Sequence, residues 1–258
     1  MEKIGWIDSH VHLTDETFKD DLDEVLARTK ENGIERMLVI CLSYEELEQA
    51  FKLQQRDKRI DIAFGFFPTS ARELNNENRK KMEVIAADER VIAIGEIGLD
   101  YYWEKDESER ALQRESFIFQ IELARKVNKP ILVHSRDAAQ DTLEILKQYP
   151  GQGVLHCYSY GVEIAQELVR LGYMISLAGP LTFKNARVPK EVAQAIPLEN
   201  LLIETDCPYL TPEPHRGTRN EPTYVVHIGE YLAKIKEVKI EKVREQLSLN
   251  YKKTFLNK

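Results

Sequence analysis

Eight short runs rich in Ile, Val and Leu recur along the chain, each followed by a longer amphipathic stretch, and that alternation constrains the fold more than any other feature. The runs cover residues 4–10, 36–42, 60–66, 91–97, 130–134, 153–156, 173–177 and 201–205. Most are almost wholly apolar rather than alternating, which is the pattern of parallel strands buried on both faces. Helical periodicity fills the intervals at 20–32, 44–56, 76–88, 107–128, 137–148, 162–171, 190–195 and 223–236. In the first of these, Leu22, Val25, Leu26 and Thr29 share a face and Gly33 closes it; in the longest, Leu112, Phe117, Ile121 and Ala124 do so. A further helix at 240–256 is expected to cover the outside or one end. Eight strand–helix units predict a (β/α)8 TIM barrel forming one domain over 1–258. An open doubly wound sheet is the alternative, but no Gly-rich dinucleotide or P-loop fingerprint follows an early strand.

Composition narrows the function. Apolar residues make up 43% of the 258, enough for a sizeable core, and 36 Lys plus Arg against 43 Asp plus Glu give a net charge of −7. Broad, non-specific duplex binding needs a basic face and is disfavoured. A nucleic-acid substrate met at a local cationic or metal-loaded pocket is not. Cys41, Cys157 and Cys207 are odd in number, lack CxxC spacing and sit in or beside apolar runs, so they read as buried reduced thiols. No basic-then-apolar leader and no apolar span of about 20 residues is present, and a cytoplasmic protein with no membrane association is expected.

In such a barrel the active site is built at the C-terminal strand ends. The first strand ends in His10-Val11-His12, and residues two apart on a strand face the same side. The fourth ends in Gly95-Glu96-Ile97-Gly98-Leu99-Asp100, the fifth in His134-Ser135-Arg136, the sixth in His156-Cys157 and the eighth in Glu204-Thr205-Asp206. Each of these has an ordinary structural role open to it: a hydrogen-bonded core histidine, a buried acid paired with Arg, a turn before Pro208. Several unpaired acids and imidazoles buried at one barrel mouth would be costly, however, and a shared metal removes the cost. Four imidazoles and two carboxylates exceed what one tetrahedral ion needs with a position left open. Two ions about 3.5–4 Å apart would use all six. His10, His12 and Asp206 are assigned to one, His134 and His156 to the other, and Glu96 to the bridge. Mixed imidazole and carboxylate ligation suits Zn, Mn, Fe or Ni better than Mg or Ca, although Mg stays among the cofactors considered. His215 and His227 lie outside the pattern and are set aside as non-ligands.

The segments Asp8-Ser9-His10-Val11-His12-Leu13, Gly95-Glu96-Ile97-Gly98-Leu99-Asp100-Tyr101-Tyr102, Pro130-Ile131-Leu132-Val133-His134-Ser135-Arg136, Glu204-Thr205-Asp206-Cys207-Pro208 and Arg216-Gly217-Thr218-Arg219-Asn220-Glu221-Pro222 run through nearly the whole chain. In them the chain resembles the TatD family of metal-dependent deoxyribonucleases, within the amidohydrolase-like barrels. The resemblance implies a (β/α)8 barrel, one or two divalent metals on the six residues above, and hydrolysis of DNA phosphodiesters. Two positions depart from the family pattern. Gly65-Phe66-Phe67-Pro68 places Phe67 where a histidine is usual, and His156-Cys157-Tyr158-Ser159-Tyr160 places Tyr160 where a small residue is usual. The departures bear on substrate handling rather than on metal binding.

For catalysis, Asp206 and Glu96 are the expected central carboxylates, with Asp206 also orienting or deprotonating a water. Arg136 can hold a phosphate oxygen or form a salt bridge. Glu204 can orient a ligand histidine or pair with a buried Arg. Arg216 and Asn220 can contact substrate or stabilise the Pro-rich loop. Tyr101 and Phe67 can stack bases or simply pack. DNA, as ends or single strands attacked by a 3′-end exonuclease, is the expected substrate of a monomer with no obligate protein partner. The alternatives are hydrolysis of another ester or amide, such as an aminoacyl ester on tRNA, and a metal-binding protein with impaired catalysis.

Overall fold

The computed structural model describes residues 4–256, so residues 1–3 and 257–258 of the expected 1–258 domain lie outside the described residues. One eight-stranded sheet holds β1 (Trp6–Val11), β2 (Ile34–Cys41), β3 (Ile60–Phe64), β4 (Val91–Asp100), β5 (Ile131–Arg136), β6 (Gly153–Leu155), β7 (Tyr173–Leu177) and β8 (Leu201–Ile203), paired in sequence order and all parallel. Between them run α1 (Leu22–Glu31), α2 (Tyr44–Arg56), α3 (Asn76–Ala87), α4 (Glu107–Lys126), α5 (Ala139–Gln148), α6 (Val162–Arg170) and α7 (Val188–Ala195), with α8 (Val225–Lys236) and α9 (Ile240–Tyr251) after β8. This is the expected (β/α)8 barrel rather than an open doubly wound sheet.

Local chemistry sets the boundaries. Ser43 caps α2 by accepting from the Glu46 amide at 3.2 Å, while the Glu46 carboxylate reaches back to the Leu42 amide at 2.9 Å; the two contacts satisfy donors that the helix leaves free. Asn75 and Asp106 cap α3 and α4 by accepting from the first helical amides, without the return contact. β1 starts at Trp6 and not at residue 4, because Gly5 spends its amide on the Glu35 carboxylate rather than on a strand ladder. β4 runs three residues past its expected end, to Asp100.

The core is the apolar side-chain layer inside the barrel together with the layer between strands and helices. α8 comes so close to β1 that a Cβ added at Gly229 would land on the ring of Trp6. α9 packs against β1 and β8, and its last residue, Tyr251, donates to Asp61 at 2.7 Å; Asp61 also takes two hydrogen bonds from Arg36. Lys252 pairs with Glu35 at 2.9 Å. These partners open β2 and β3, so the end of α9 lies across the N-terminal end of the barrel and leaves the other end free. Among the described residues no helix is long and apolar enough to cross a membrane.

The barrel closes unevenly. Seven strand pairs form ladders, three of them with a register shift, but β8 is three residues long and its backbone meets that of β1 only beyond its own end. There the Asp206 amide donates to the His10 carbonyl and the His12 amide to the Cys207 carbonyl, both at 3.0 Å. Asp8 adds a side-chain clasp. Its carboxyl, wholly buried, accepts from the Thr205 amide at 2.9 Å and the Thr205 hydroxyl at 2.6 Å, and more weakly from the His10 amide at 3.4 Å.

Candidate metal centre

The six residues expected at the strand ends converge at the free end of the barrel. His10 is fully buried at the end of β1. Its Nε2 lies 3.2 Å from His12 Nε2, 3.6 Å from Asp206 Oδ1 and 3.3 Å from Glu96 Oε2. His12 Nε2 is 3.5 Å from the same Asp206 oxygen. The other Glu96 oxygen, Oε1, faces His134 Nδ1 at 2.9 Å and His156 Nε2 at 2.7 Å. Those two histidine nitrogens are 3.3 Å apart. Glu96 thus lies between the two sets assigned from sequence, with one oxygen toward each.

The arrangement rests on specific backbone. Glu96, Gly98 and Asp100 alternate onto one side of β4, and Gly98 pairs with His134 of β5. Gly98 has φ 138°, and a Cβ there would collide with the His134 carbonyl, so only glycine lets β5 approach closely enough to present its histidine. Asp206 and Cys157 adopt left-handed backbone at φ 55° and 42°. Such residues cost roughly 1–3 kcal/mol and need surroundings that hold them. The Asp206 amide is held by the His10 carbonyl, and the Cys157 amide by Glu204 at 2.5 Å.

These donors suit a divalent cation. The triads His10, Glu96, His156 and His10, His12, Asp206 each place a nitrogen or oxygen from every member within 4.8 Å of the others. Ligand atoms about 2.0–2.2 Å from a common ion have just such separations. Imidazole nitrogens also face one another across the cluster, His10 Nε2 and His12 Nε2 at 3.2 Å and His134 Nδ1 and His156 Nε2 at 3.3 Å. A shared cation, and not a protein donor, is what the inward-facing nitrogens can satisfy.

Charges in the cluster are mutually dependent. Burial pushes the Glu96 carboxyl up, but His156, His10 and His134 outweigh it and hold it well below the usual carboxylate range. Burial pushes His156 down, while Glu96 and Glu204 raise it well above an ordinary imidazole. Asp206, also pushed up by burial, is drawn lower by His12, His10 and His156, and stays ionised at neutral pH. Burial draws His10 down, whereas His12, His134 and His156 are raised by the carboxylates they face; a cation would take the place of the protons favoured on those three, so its binding releases protons.

Around the cluster lies a cavity of about 560 Å³ whose walls include Phe67, Asp100, Trp103, Arg136, Asp15 and Tyr209. Arg136 is exposed at the lip, with its guanidinium 3.8 Å above the Tyr102 ring and 5.7 Å from that of Trp103. Among the described residues no carboxylate pairs with it, so the salt-bridge role considered for it is not realised. Phe67 packs edge-on against His134, with ring centroids 4.7 Å apart, and also lines the cavity.

Three expected substrate contacts lie elsewhere. Tyr101 is buried; it follows Leu99 on the side of β4 away from Glu96, donates to Asp141 at 2.6 Å and accepts from Arg114. Asn220 is fully buried and clamps the loop after β8, donating to the carbonyls of Thr205 and Tyr209 at 2.8 and 2.6 Å. Arg216 lies over Phe183 at 3.8 Å and does not line the cavity. Tyr160, a departure from the family pattern, accepts from the Ala138 amide and contacts the Ser135 hydroxyl, bracing the loop after β5.

Two supporting carboxylates were not singled out by the sequence reading, or only in part. Asp100 accepts from His134 Nε2 at 3.0 Å, which leaves His134 Nδ1 to face Glu96. Its signal lies in the alternation Glu96, Gly98, Asp100, which has a direction only when β4 continues past Ile97 to Asp100. Glu204, buried, stands 3.3 Å from His156 Nδ1 and holds the Cys157 amide; no Arg reaches it among the described residues. Of its two anticipated roles, the geometry fits support of a histidine.

Comparison with known proteins gives a consistent picture. The sequence model of the family described as TatD related DNase matches residues 7–256. The chain is 41% identical over 251 residues to the "uncharacterized metal-dependent hydrolase YabD" of Bacillus subtilis, covering 96% of this chain and 98% of that protein. It is 37% identical over 255 residues to the similarly named YcfH of Escherichia coli, covering 96% and 95%. In structure it matches YJJV, a TatD homologue of Escherichia coli, with TM-score 0.90, 24% identity and 98% of both chains covered, a likeness of fold.

Proposed function

The chain belongs to the TatD family and is a metal-dependent hydrolase, and on that premise we propose that it hydrolyses phosphodiester bonds at the ends of single-stranded DNA. The observation that carries the reading is Arg136, with which no carboxylate pairs among the described residues, stacked on exposed aromatic rings at the lip of the cavity over the metal-competent cluster. A guanidinium so placed is suited to a phosphate oxygen, and Tyr102 and Trp103, 44% and 66% exposed, are suited to unpaired bases.

His10, His12 and Asp206 would hold one divalent ion, His134 and His156 a second, with Glu96 between them. When bound, such ions supply Lewis-acid polarisation of a phosphoryl oxygen and activation of water. The protein's own groups do the rest. Asp206, ionised and 14% exposed toward the cavity, can accept a proton at a carboxylate oxygen from an attacking water. Asp100 accepts a hydrogen bond from His134 Nε2 and so fixes that ring's orientation. Arg136 orients the phosphate against this constellation, and Phe67 shields one wall from water.

A second reading, hydrolysis of an aminoacyl ester such as that on tRNA, is favoured by Asp15 and Glu46 on the cavity wall, where a substrate ammonium could sit. The test is metal analysis of purified protein beside cleavage of end-labelled single-stranded DNA, with Asp206→Asn as control. Loss of a proton-accepting carboxylate should cost about 10²–10⁴-fold in rate. Equal cleavage by protein and variant would assign the activity to a contaminant. Bound metal with ester turnover and no DNA cleavage would move the assignment to the second reading.

A further inference from the structure

Two histidines set aside on sequence grounds meet in space, away from the barrel mouth. His215 belongs to the loop between β8 and α8, and His227 to the first turn of α8. Their Nε2 atoms face each other at 3.2 Å, and both residues are half-buried. We propose that His215 and His227 form a separate site for an imidazole-seeking divalent ion, Zn, Ni or Cu, which ties the loop after β8 to α8.

Two nitrogens bound to one tetrahedral ion at about 2.0–2.1 Å stand roughly 3.3 Å apart. The separation here matches that expectation, and it matches the 3.2 and 3.3 Å between facing histidine nitrogens of the barrel-mouth cluster. Both rings are also held in place. His215 stacks flat on Tyr224, with centroids 4.1 Å apart and planes 6° apart. Behind His227, the Glu230 carboxylate lies 3.6 Å from Nδ1. That carboxylate stands on the ring edge away from His215, the side on which supporting carboxylates stand behind metal-bound histidines. With only two protein donors, water completes the coordination, and ions that prefer oxygen, such as Mg, are excluded. The site shares no residue with the barrel-mouth cluster. A bound ion would fasten the stretch that contains Pro212 and Pro214 to the helix that follows it.

Metal-depleted full-length protein, His215→Ala and His227→Gln are each titrated with Zn, and amide exchange over residues 212–218 is followed with Zn and with Mg. The wild-type chain should bind one more Zn than either variant. Its loop exchange should slow with Zn but not with Mg, and neither variant should respond. DNA cleavage by the variants, at equal loading of the barrel-mouth centre, should be unchanged. The same number of Zn ions on all three chains would overturn the site and reduce the pair to an ordinary hydrogen bond between neutral rings. An extra ion that leaves loop exchange unaltered would overturn the tie to α8.

Discussion

Asp8→Ala tests whether a side chain, in place of a strand ladder, seals this barrel. Asp8 is wholly buried, and burial pushes its carboxyl well up while the hydrogen bonds from Thr205 and His10 pull it back. Removing it orphans the Thr205 amide, weakens the environment of the His10 amide and leaves the Thr205 hydroxyl with the Cys207 amide as its remaining contact, at 3.3 Å. A buried donor left unpaired costs about 1–3 kcal/mol. One full loss and one partial loss sum to about 2–4 kcal/mol, which for a chain of this length lowers Tm by roughly 5–15 °C. Asp8→Asn keeps an acceptor for the Thr205 amide and supplies a donor to its hydroxyl, and should cost less than about 1 kcal/mol. Urea denaturation read by Trp fluorescence measures both variants, since Trp6, 4% exposed, opens β1 itself. If the Ala variant unfolds within about 1 kcal/mol of wild type, or the Asn variant falls as far as Ala, the clasp is not what holds β1 to β8.

Further expectations follow from other parts of the molecule. Gly229→Ala drives a methyl into the Trp6 ring and should cost about 1–3 kcal/mol by overpacking, measured by the same denaturation. Asp57 is pushed up by burial, but its bonds from the Arg59 side chain and amide draw it below the usual carboxylate range. Its contribution is therefore present above the unfolded pKa of about 3.9 and is lost as pH falls through the lower folded value. Asp57→Asn should cost about 1–2 kcal/mol at neutral pH, and the gap to wild type should narrow in denaturation curves taken below about pH 4. Chelation should lower Tm: an ion 100-fold above its Kd contributes about 2.7 kcal/mol, and calorimetry should find the shift reduced in Asp206→Asn. Arg136→Ala should weaken single-stranded DNA binding and flatten its salt dependence without altering metal content, checked by binding at several salt concentrations.

The repeat of apolar runs made the barrel legible, because a strand covered on both faces leaves an uninterrupted apolar signature. The six donors were legible for a related reason: His10, Glu96, His134, His156 and Asp206 each interrupt or end such a run, His12 stands two residues beyond His10 on the same side, and polar groups there need a purpose. Tyr101 was misplaced by the same logic that missed Asp100. With β4 ended at Ile97, both residues fell into a presumed loop, where alternation gives no direction; once the strand reaches Asp100, parity turns Asp100 in and Tyr101 out. Asn220 and Arg216 were not legible at all. Their orientations depend on how the loop after β8 folds back on Thr205, Tyr209 and Phe183, contacts between residues whose spacing follows no period.

The uneven closure has a bearing on how the molecule is made. His10 and His12 are synthesised well before Asp206, yet the three donors stand together across the one junction of the sheet that is closed by an isolated bridge. A nascent chain therefore offers only part of its donor set while most of the barrel is already synthesised, and the triad of His10, His12 and Asp206 is complete only after the eighth strand is made. An ion spanning that junction would join the two ends of the sheet, so loading would report that the ring is complete and would resist its reopening.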